Sequence, residues 1–236
     1  MSYDEEGPAY GKACSTAGNT RLSRCERLVR YREEVAKNKV RRFRDWEYWG
    51  RPVPSLGELN ARLIVIGLAP AAHGGNRTGR VFTGDRSGDW LYRSLHRFGF
   101  ANQPQSVDSS DGLRLIDCYI TAAVHCAPPD NKPLPSEFRN CQPYLLDELQ
   151  QLRSIRVAAL LGRVAFQSYF AARKALGWKN PVPPPAFGHG AASILDDGTM
   201  VIGSYHPSQQ NTQTGRLTEM MLDDIFRRAG EHIRCV

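Results

Sequence analysis

Three side chains occupy positions where chemistry on a bound molecule could take place. His206 follows an apolar run and precedes a polar loop, so its imidazole could hydrogen-bond a leaving group, although a structural histidine at a strand end fits the same pattern. Asp85 stands just before a helical stretch, where a carboxylate either caps the helix or activates water, and the pattern alone favours the cap. Phe82, in a Gly-rich loop, could stack on a flat ring or pack in the core.

Two loops have the composition of ligand-binding segments. Residues 67–88 hold glycines that allow close backbone approach and leave amides free for an anion or a carbonyl. They match neither the Walker loop nor the dinucleotide-binding fingerprint. Residues 204–218 form a polar loop whose Gln209, Gln210 and Arg216 could enter a DNA groove.

The chain contains six cysteines, and their spacing bears on metal binding. A reducing compartment disfavours three disulfides, so the thiols are either buried and free or metal ligands. No Cys-x2-Cys pair typical of zinc is present, whereas spaced single cysteines are compatible with an iron–sulfur cluster. The six are Cys14, Cys25, Cys118, Cys126, Cys141 and Cys235.

Alternating strands and helices must position these residues. Short apolar runs predict buried strands, and helical spacing predicts the segments between them. Strands that are apolar on both faces indicate a parallel sheet covered by helices. We therefore expect an α/β fold: one three-layer α/β/α domain with a four-stranded parallel central sheet. The predicted strands are 61–68, 117–124, 155–161 and 199–205, and the predicted helices are 22–37, 87–98, 136–152, 163–176 and 217–233.

Composition narrows the class of protein. The 236 residues are 41% hydrophobic and 23% charged, which argues against a disordered, collagen-like or coiled-coil chain. The apolar runs are too short to span a bilayer, and no signal sequence is visible, so we expect a cytoplasmic protein without a membrane partner. The formal net charge is +7, and residues 21–45 alone carry ten Lys and Arg against four Asp and Glu. That stretch is either a solvated helix face or a DNA-facing edge.

Taken in order, several motifs resemble the uracil-DNA glycosylase superfamily, and the nearest match is its family 5, the iron–sulfur type B enzymes. The resemblance covers about residues 25–229. The motifs that carry it are Gly67-Leu-Ala-Pro, Asn76-Arg-Thr-Gly-Arg80, Phe82-Thr-Gly-Asp85, Ile120-Thr-Ala-Ala, Cys126-Ala-Pro-Pro followed by Asn131, and His206-Pro-Ser through Arg216.

This resemblance implies a monomeric enzyme that removes deaminated bases from single- or double-stranded DNA. It implies that His206 stabilises the departing base anion and that Asp85 or Asn131 acts on the water, with a backbone-held water left as an alternative. The implied substrate-binding residues are Gly67, Leu68, Ala69, His73, Phe82 and Ala122. The implied DNA-binding residues are Asn76, Arg77, Ser208, Gln209, Gln210, Asn211 and Arg216.

Small residues replace polar ones at positions where better-known relatives act on water or read the uracil edge. Ala69 and Ala71 stand where other families place Asp or Asn, and Ala122 stands where an Asn is common. Family 5 shares both changes, which implies a looser pocket that also accepts hypoxanthine, xanthine or ethenocytosine. Asn131 is then a candidate to supply the missing amide.

The resemblance also implies a 4Fe-4S cluster with cysteine ligands. Cys25, Cys126 and Cys141 match three ligand positions, but Leu22 stands where relatives carry the first cysteine of a Cys-x2-Cys pair. Cys14, reached through an inserted loop, is the candidate for the fourth ligand. Cys118 and Cys235 are expected to be non-ligands.

Two other functions remain open at this point. Ala69 and Ala122 suit a DNA-damage-binding module of the same fold that has lost catalysis, and the Gly-rich loop suits a nucleotide-binding hydrolase. We expect residues 1–20 to form an N-terminal extension and residues 21–236 to form the glycosylase-like domain.

Overall fold

The computed structural model describes residues 25–235, which form a three-layer α/β/α fold around one six-stranded sheet. In spatial order the strands are β1, β3, β2, β4, β6 and β5. The inner four are parallel, and β1 and β5 pair antiparallel at the two edges. The strands are β1 (Leu56–Gly57), β2 (Leu63–Gly67), β3 (Cys118–Ala122), β4 (Val157–Leu161), β5 (Ala192–Ile194) and β6 (Met200–Ser204).

The predicted α/β/α class and its four parallel strands are confirmed, and the two edge strands are an addition. The four inner strands are buried along their whole length, so each reads as a continuous apolar run. β1 has two residues and β5 has three, and neither is fully buried. Strands this short and this exposed lack the apolar run on which the prediction depended.

Helices cover both faces of the sheet because successive strand residues point to opposite sides. Leu63 and Val65 of β2 pack in the cluster that contains residues of α3 and α7, whereas Ile64 and Ile66 pack with α4 and α5. The helices are α1 (Glu26–Lys37), α2 (Gly75–Thr78), α3 (Arg86–Arg97), α4 (Pro135–Gln151), α5 (Arg163–Ala175), α6 (Gln209–Gln213) and α7 (Glu219–Cys235). Within residues 25–235, no helix is both long and apolar enough to cross a membrane.

The basic helix α1 packs against a third apolar cluster beyond the end of β3. Leu28 of α1 is fully buried there beside Val124 and Tyr144. Arg27 of α1 forms a 2.9 Å salt bridge with Glu137 in the first turn of α4, which ties the two helices together. The predicted start of this helix, residues 22–24, lies outside the described residues, as does the predicted extension 1–20.

Candidate active site

A cleft of about 640 Å³ opens where the carboxyl ends of the parallel strands meet. Leu68 follows β2, Ala122 ends β3, and His206 follows β6, so three strands deliver residues to one place. Ligands of open parallel sheets bind at this edge. The predicted site residues that line the cleft are Leu68, Ala69, Phe82, Asp85, Ala122, Asn131, His206, Ser208 and Gln209.

Phe82 adopts a backbone conformation that few side chains other than glycine take. Its φ is +50°, in the left-handed region, where a bulky residue persists only if its surroundings hold it. Gly88 packs against this part of the backbone and leaves room for it: a Cβ at residue 88 would lie 1.6 Å from the Phe82 carbonyl oxygen. The Phe82 ring lies over Gly67 and beside the His206 ring, with centroids 5.8 Å apart and planes 28° from parallel.

A buried polar network holds the loop on either side of Phe82. Arg80 donates to Asp111 at 2.6 Å and to Ser106 at 2.9 Å, and the Thr83 and Ser106 hydroxyls lie 2.6 Å apart. Burial alone would raise the pKa of Asp111, but hydrogen bonds from Arg80 and from backbone amides bring that pKa below its ordinary value. The carboxylate therefore stays ionised and keeps Arg80 in place.

Asp85 caps a helix and lines the cleft at the same time. Its Oδ1 accepts a 3.0 Å hydrogen bond from the Gly88 amide at the start of α3, which is the role that the pattern alone favoured. Burial raises the pKa of the carboxyl, despite the hydrogen bonds from backbone amides. Gly74 packs against the other carboxylate oxygen, since a Cβ at residue 74 would lie 2.4 Å from Asp85 Oδ2.

His206 faces the cleft as a neutral imidazole. Burial lowers its pKa to about 4, so the ring carries one N–H and no charge at neutral pH. The position of His206 is also restricted, because its ring stacks on Phe82 and its backbone carbonyl accepts a 2.9 Å hydrogen bond from the Asn211 side-chain amide. A neutral donor held in this way can stabilise negative charge that develops on a molecule in the cleft.

The polar segment after His206 folds into the short helix α6. The Ser208 hydroxyl caps that helix by accepting a 3.4 Å hydrogen bond from the Asn211 backbone N–H. Gln209 lines the cleft, and the side chains of Gln210 and Arg216 are exposed. The Arg216 guanidinium lies 4.6 Å from the centre of the Tyr205 ring. The segment thus presents polar and cationic groups beside the cleft.

The sequence is similar to those of known proteins over most of its length. Residues 54–230 match the family model described as the uracil DNA glycosylase superfamily. The chain belongs to the uracil DNA glycosylase superfamily. It is 54% identical to the type-5 uracil-DNA glycosylase of Mycobacterium tuberculosis (strain CDC 1551 / Oshkosh), over 87% of this chain and 75% of that protein. It is 48% identical to the type-5 enzyme of Thermus thermophilus, over 87% and 90%, and 47% identical to that of Pyrobaculum aerophilum, over 91% and 90%. The resemblance to family 5 is confirmed.

Two of the predicted DNA-binding residues in this glycosylase chain lie inside the protein. Asn76 is 0% exposed and donates to the Arg32 carbonyl at 3.1 Å. Arg77 is 4% exposed, and its guanidinium lies 3.9 Å from the centre of the Phe43 ring and 4.0 Å from that of Trp46. Both side chains are buried and support the loop from within.

Two predicted substrate-binding residues, Gly67 and His73, lie behind the lining of the cleft. Gly67 lies under the Phe82 ring, and His73 hydrogen-bonds the Tyr48 hydroxyl at 3.1 Å. Burial lowers the pKa of His73, and the charges of Arg42 and Arg77 lower it further.

Arg42, which was not predicted as a site residue, lines the cleft. The positive balance of residues 21–45 pointed to its region but not to the residue.

Three of the four predicted cluster ligands come together in the apolar cluster beneath α1. Cys126 and Cys141 are buried in it, and Cys25 packs at its edge. Arg32 donates to the Cys126 sulfur at 3.0 Å, and the Asn140 amide donates to the Cys25 sulfur at 3.3 Å.

The remaining cysteines differ in their surroundings. Cys14 lies outside the described residues. Cys118 packs within the sheet in a different cluster, where burial raises the pKa of its thiol well above the ordinary value, and Cys235 is exposed. Among residues 25–235, no group of three or more His, Cys, Asp or Glu side chains is arranged to hold a metal ion.

Proposed function

We propose that this protein is a uracil-DNA glycosylase of base excision repair, which hydrolyses the N-glycosidic bond of uracil in DNA and leaves an abasic site. The observation that carries the proposal is the pairing of an aromatic ring, Phe82, with a neutral histidine, His206, in the cleft. The first can stack on a flat base, and the second can donate to it. Asp85 lines the same cleft and provides a carboxylate for water.

The reaction begins when the damaged nucleotide leaves the DNA stack. Flipping costs a few kcal/mol and costs least for a mispaired base such as uracil opposite guanine. The cleft, about 640 Å³, has room for one base. Phe82 provides the stacking face, and Gln209 at the start of α6 stands where a side chain could hold the vacated position.

Breakage of the glycosidic bond leaves its electron pair on the base and positive character on the sugar. The His206 N–H donates to the base anion and so stabilises the charge that develops. A water oxygen then bonds to the sugar carbon, and the proton that this water loses passes to Asp85. Asp85 then releases this proton to solvent and the base anion takes one up, so the products are the neutral free base, an abasic site and the regenerated carboxylate.

Asp85 gives a test in which the helix cap and the chemistry can be separated. Asn is as good an N-cap as Asp, so Asp85→Asn should leave the unfolding temperature nearly unchanged. It should lower the single-turnover excision rate roughly 10²-fold, the lower end of general-base contributions. Because burial raises the pKa of Asp85, the wild-type rate should fall with decreasing pH at a higher pH than for an ordinary carboxyl. An Asn variant with the wild-type rate would assign the water to Asn131 or to backbone groups.

Gly67 tests the position of the Phe82 ring. A Cβ at residue 67 would lie 2.6 Å from Phe82 Cζ, so Gly67→Ala must push the ring out of its place. Base–aromatic stacking contributes about 1–3 kcal/mol, so kcat/KM for uracil excision should fall roughly 10-fold or more. Gly230→Ala in α7 is the matched control, since the nearest atoms to its Cβ are the end of Arg234 at 3.3 Å and the ring of Phe100 at 3.8 Å. Equal rates in the two variants would contradict the stacking role.

The small side chains in the cleft support a substrate range wider than uracil. Ala69 and Ala122 line the cleft without a side-chain donor or acceptor that would select one base edge. Asn131 is a side-chain amide in the same lining that could contact a base edge. We propose that hypoxanthine, xanthine and ethenocytosine are also excised, because a pocket that makes few polar contacts rejects few bases.

The decisive experiment uses labelled oligonucleotides that each carry one uracil, hypoxanthine, xanthine or ethenocytosine. Excision produces alkali-sensitive strand breaks, and an undamaged oligonucleotide is the control. Breaks at uracil support the proposal, and breaks at the other bases support the wider range. Tight, salt-dependent binding with no break at any base would instead identify a DNA-damage-binding module.

We propose that Cys14, Cys25, Cys126 and Cys141 hold a 4Fe-4S cluster. The chemistry of the donor set supports this proposal, because thiolates are the ligands of such clusters and Cys25, Cys126 and Cys141 belong to one apolar cluster of side chains. Burial raises the pKa of the Cys126 thiol, and the hydrogen bond from Arg32 to its sulfur opposes that rise because it favours the thiolate. When bound, the cluster would crosslink α1, α4 and the segment that follows β3.

We also propose that the protein acts as a monomer in the cytoplasm, with residues 21–236 as its glycosylase domain.

A further inference from the structure

A short segment between α1 and the sheet carries exposed arginines next to the cleft. Residues 41–51, here called the arginine segment, include four exposed arginines: Arg41, Arg42, Arg44 and Arg51. Arg44 lies 3.5 Å from its neighbour Asp45. Within the part of the chain that the structure describes, Arg41, Arg42 and Arg51 have no carboxylate at ion-pair distance. Three cations are therefore free to bind an anion from outside, and Arg42 and Arg51 are the two that the following contacts place.

The arginine segment is fixed to the loop that carries the catalytic groups. The buried Arg77 guanidinium lies between the rings of Phe43 and Trp46, and its Nε donates to the His73 carbonyl at 2.8 Å. Its Nη2 donates to the Gly84 carbonyl at 3.2 Å, between Phe82 and Asp85 in sequence. Arg77 thus links the segment to the loop that carries Phe82 and Asp85, so the backbone that bears the exposed arginines keeps a set position relative to the cleft.

Backbone pairing continues this attachment along the segment. The Trp49 and Gly50 amides donate to the carbonyls of Arg77 and Asn76 at 3.0 and 3.1 Å. The Trp49 ring packs on Gly79, where a Cβ would lie 3.0 Å from it, yet the residue remains 41% exposed. The Arg51 guanidinium lies 5.5 Å from the centre of that ring. An arginine at the far end of the segment therefore rests on a supported aromatic surface.

We propose that the arginine segment is a DNA-binding surface, separate from the segment 208–216, which holds backbone phosphates of the DNA strand next to the extruded nucleotide. Arg42 lines the cleft itself, so the surface begins where the flipped base enters. Guanidinium groups bind phosphate through paired hydrogen bonds, and a strand continuing from the base brings phosphates past the cleft rim. The proposal rests on the proposed function to the extent that the cleft receives a nucleotide from DNA.

Salt dependence tests the surface because each phosphate contact releases counterions. On duplex DNA the slope of log affinity against log salt falls by about 0.9 for each contact removed. Arg42→Ala/Arg51→Ala should therefore lower the slope by about 1.8. When KCl rises from about 50 to about 200 mM, the factor by which DNA affinity falls should be about 12 times smaller for this variant than for the wild type. The probe is a labelled duplex that carries a stable abasic-site analogue, so binding is measured without turnover.

The matched control removes the same number of charges at the amino ends of the parallel strands, on the side of the sheet opposite the cleft. Arg153 and Arg156 are exposed and precede β4, at the end of the parallel strands away from the cleft. Arg153→Ala/Arg156→Ala should keep the wild-type slope. An unchanged slope in the Arg42/Arg51 variant, or equal decreases in both variants, would overturn the proposal. So would tighter binding of the wild type to anionic phosphatidylglycerol vesicles than to the duplex.

Excision measured in parallel separates this proposal from the proposed function. A wild-type protein that excises uracil but shows no segment-dependent slope contradicts the surface alone. A protein that shows the slope difference but excises no base contradicts the proposed activity alone. Circular dichroism of each variant checks folding, and Arg51→Ala by itself repeats the measurement with Arg42 left in the cleft.

Discussion

Replacing His206 with alanine should lower the single-turnover rate of uracil excision by roughly 10²–10³, the usual effect of removing one donor to a developing anion. The expected loss is in kcat more than in DNA affinity, because the N–H acts on the base mainly when charge develops. The Phe82 ring, which stacks on His206, loses a neighbour but keeps Gly67 and its own backbone fit. His206→Gln retains a donor and should recover part of the rate.

The pH profile distinguishes a neutral donor from a charged one. Burial lowers the pKa of His206 to about 4, so the ring stays neutral from alkaline pH down to that value and is protonated only below it. The His206-dependent part of the rate should therefore not change near pH 6.5, the ordinary histidine value. A wild-type rate that rises as pH falls through 6.5, with no such rise in His206→Ala, would show that the imidazolium is the active form.

An exposed histidine provides the control for this variant. His96 lies on the outer side of α3, and its side chain faces solvent. His96→Ala should retain the wild-type rate and unfolding temperature. If both alanine variants lost activity to the same extent, the loss would reflect a general effect of the substitution and not a donor in the cleft.

The fold was predictable wherever strands are buried on both faces. β2, β3, β4 and β6 read as apolar runs because helices cover them completely. The edge strand β5 includes Ile194, which is exposed, and pairs only with β6. Its position is set by backbone hydrogen bonds, which leave no pattern in the side chains.

The site was predictable to the extent that it follows from strand ends. Phe82, Asp85 and His206 could be placed together because parallel strands deliver their following loops to one edge. The burial of Arg77 could not be anticipated, because the rings that enclose it belong to the earlier segment 43–46. Contacts between distant segments depend on packing, and a local motif does not reveal whether its arginine faces outward.

Replacing Cys126 with serine should remove the proposed cluster altogether. A hydroxyl is a poor substitute for a thiolate on iron, and the Cys126 sulfur is the one that accepts from Arg32 at 3.0 Å. We expect protein purified without oxygen to lose its bound iron and the visible absorption of the wild type. Cys235→Ser is the matched control, since that thiol is exposed at the end of α7 and should leave iron content unchanged.

Stability should fall together with the iron. Loss of a structural metal is among the changes that cost more than about 4 kcal/mol, and in a chain of this size each kcal/mol lowers Tm by roughly 2–4 °C. We therefore expect Cys126→Ser to unfold roughly 10 °C below the wild type. Without the cluster, α1 is joined to α4 by non-covalent contacts such as the Arg27–Glu137 pair, the Asn140–Cys25 hydrogen bond and the packing of Leu28. Cys14→Ser decides the fourth ligand: a parallel loss of iron assigns Cys14, and wild-type iron content excludes it. A wild-type protein that binds no iron under the same conditions would contradict the cluster itself.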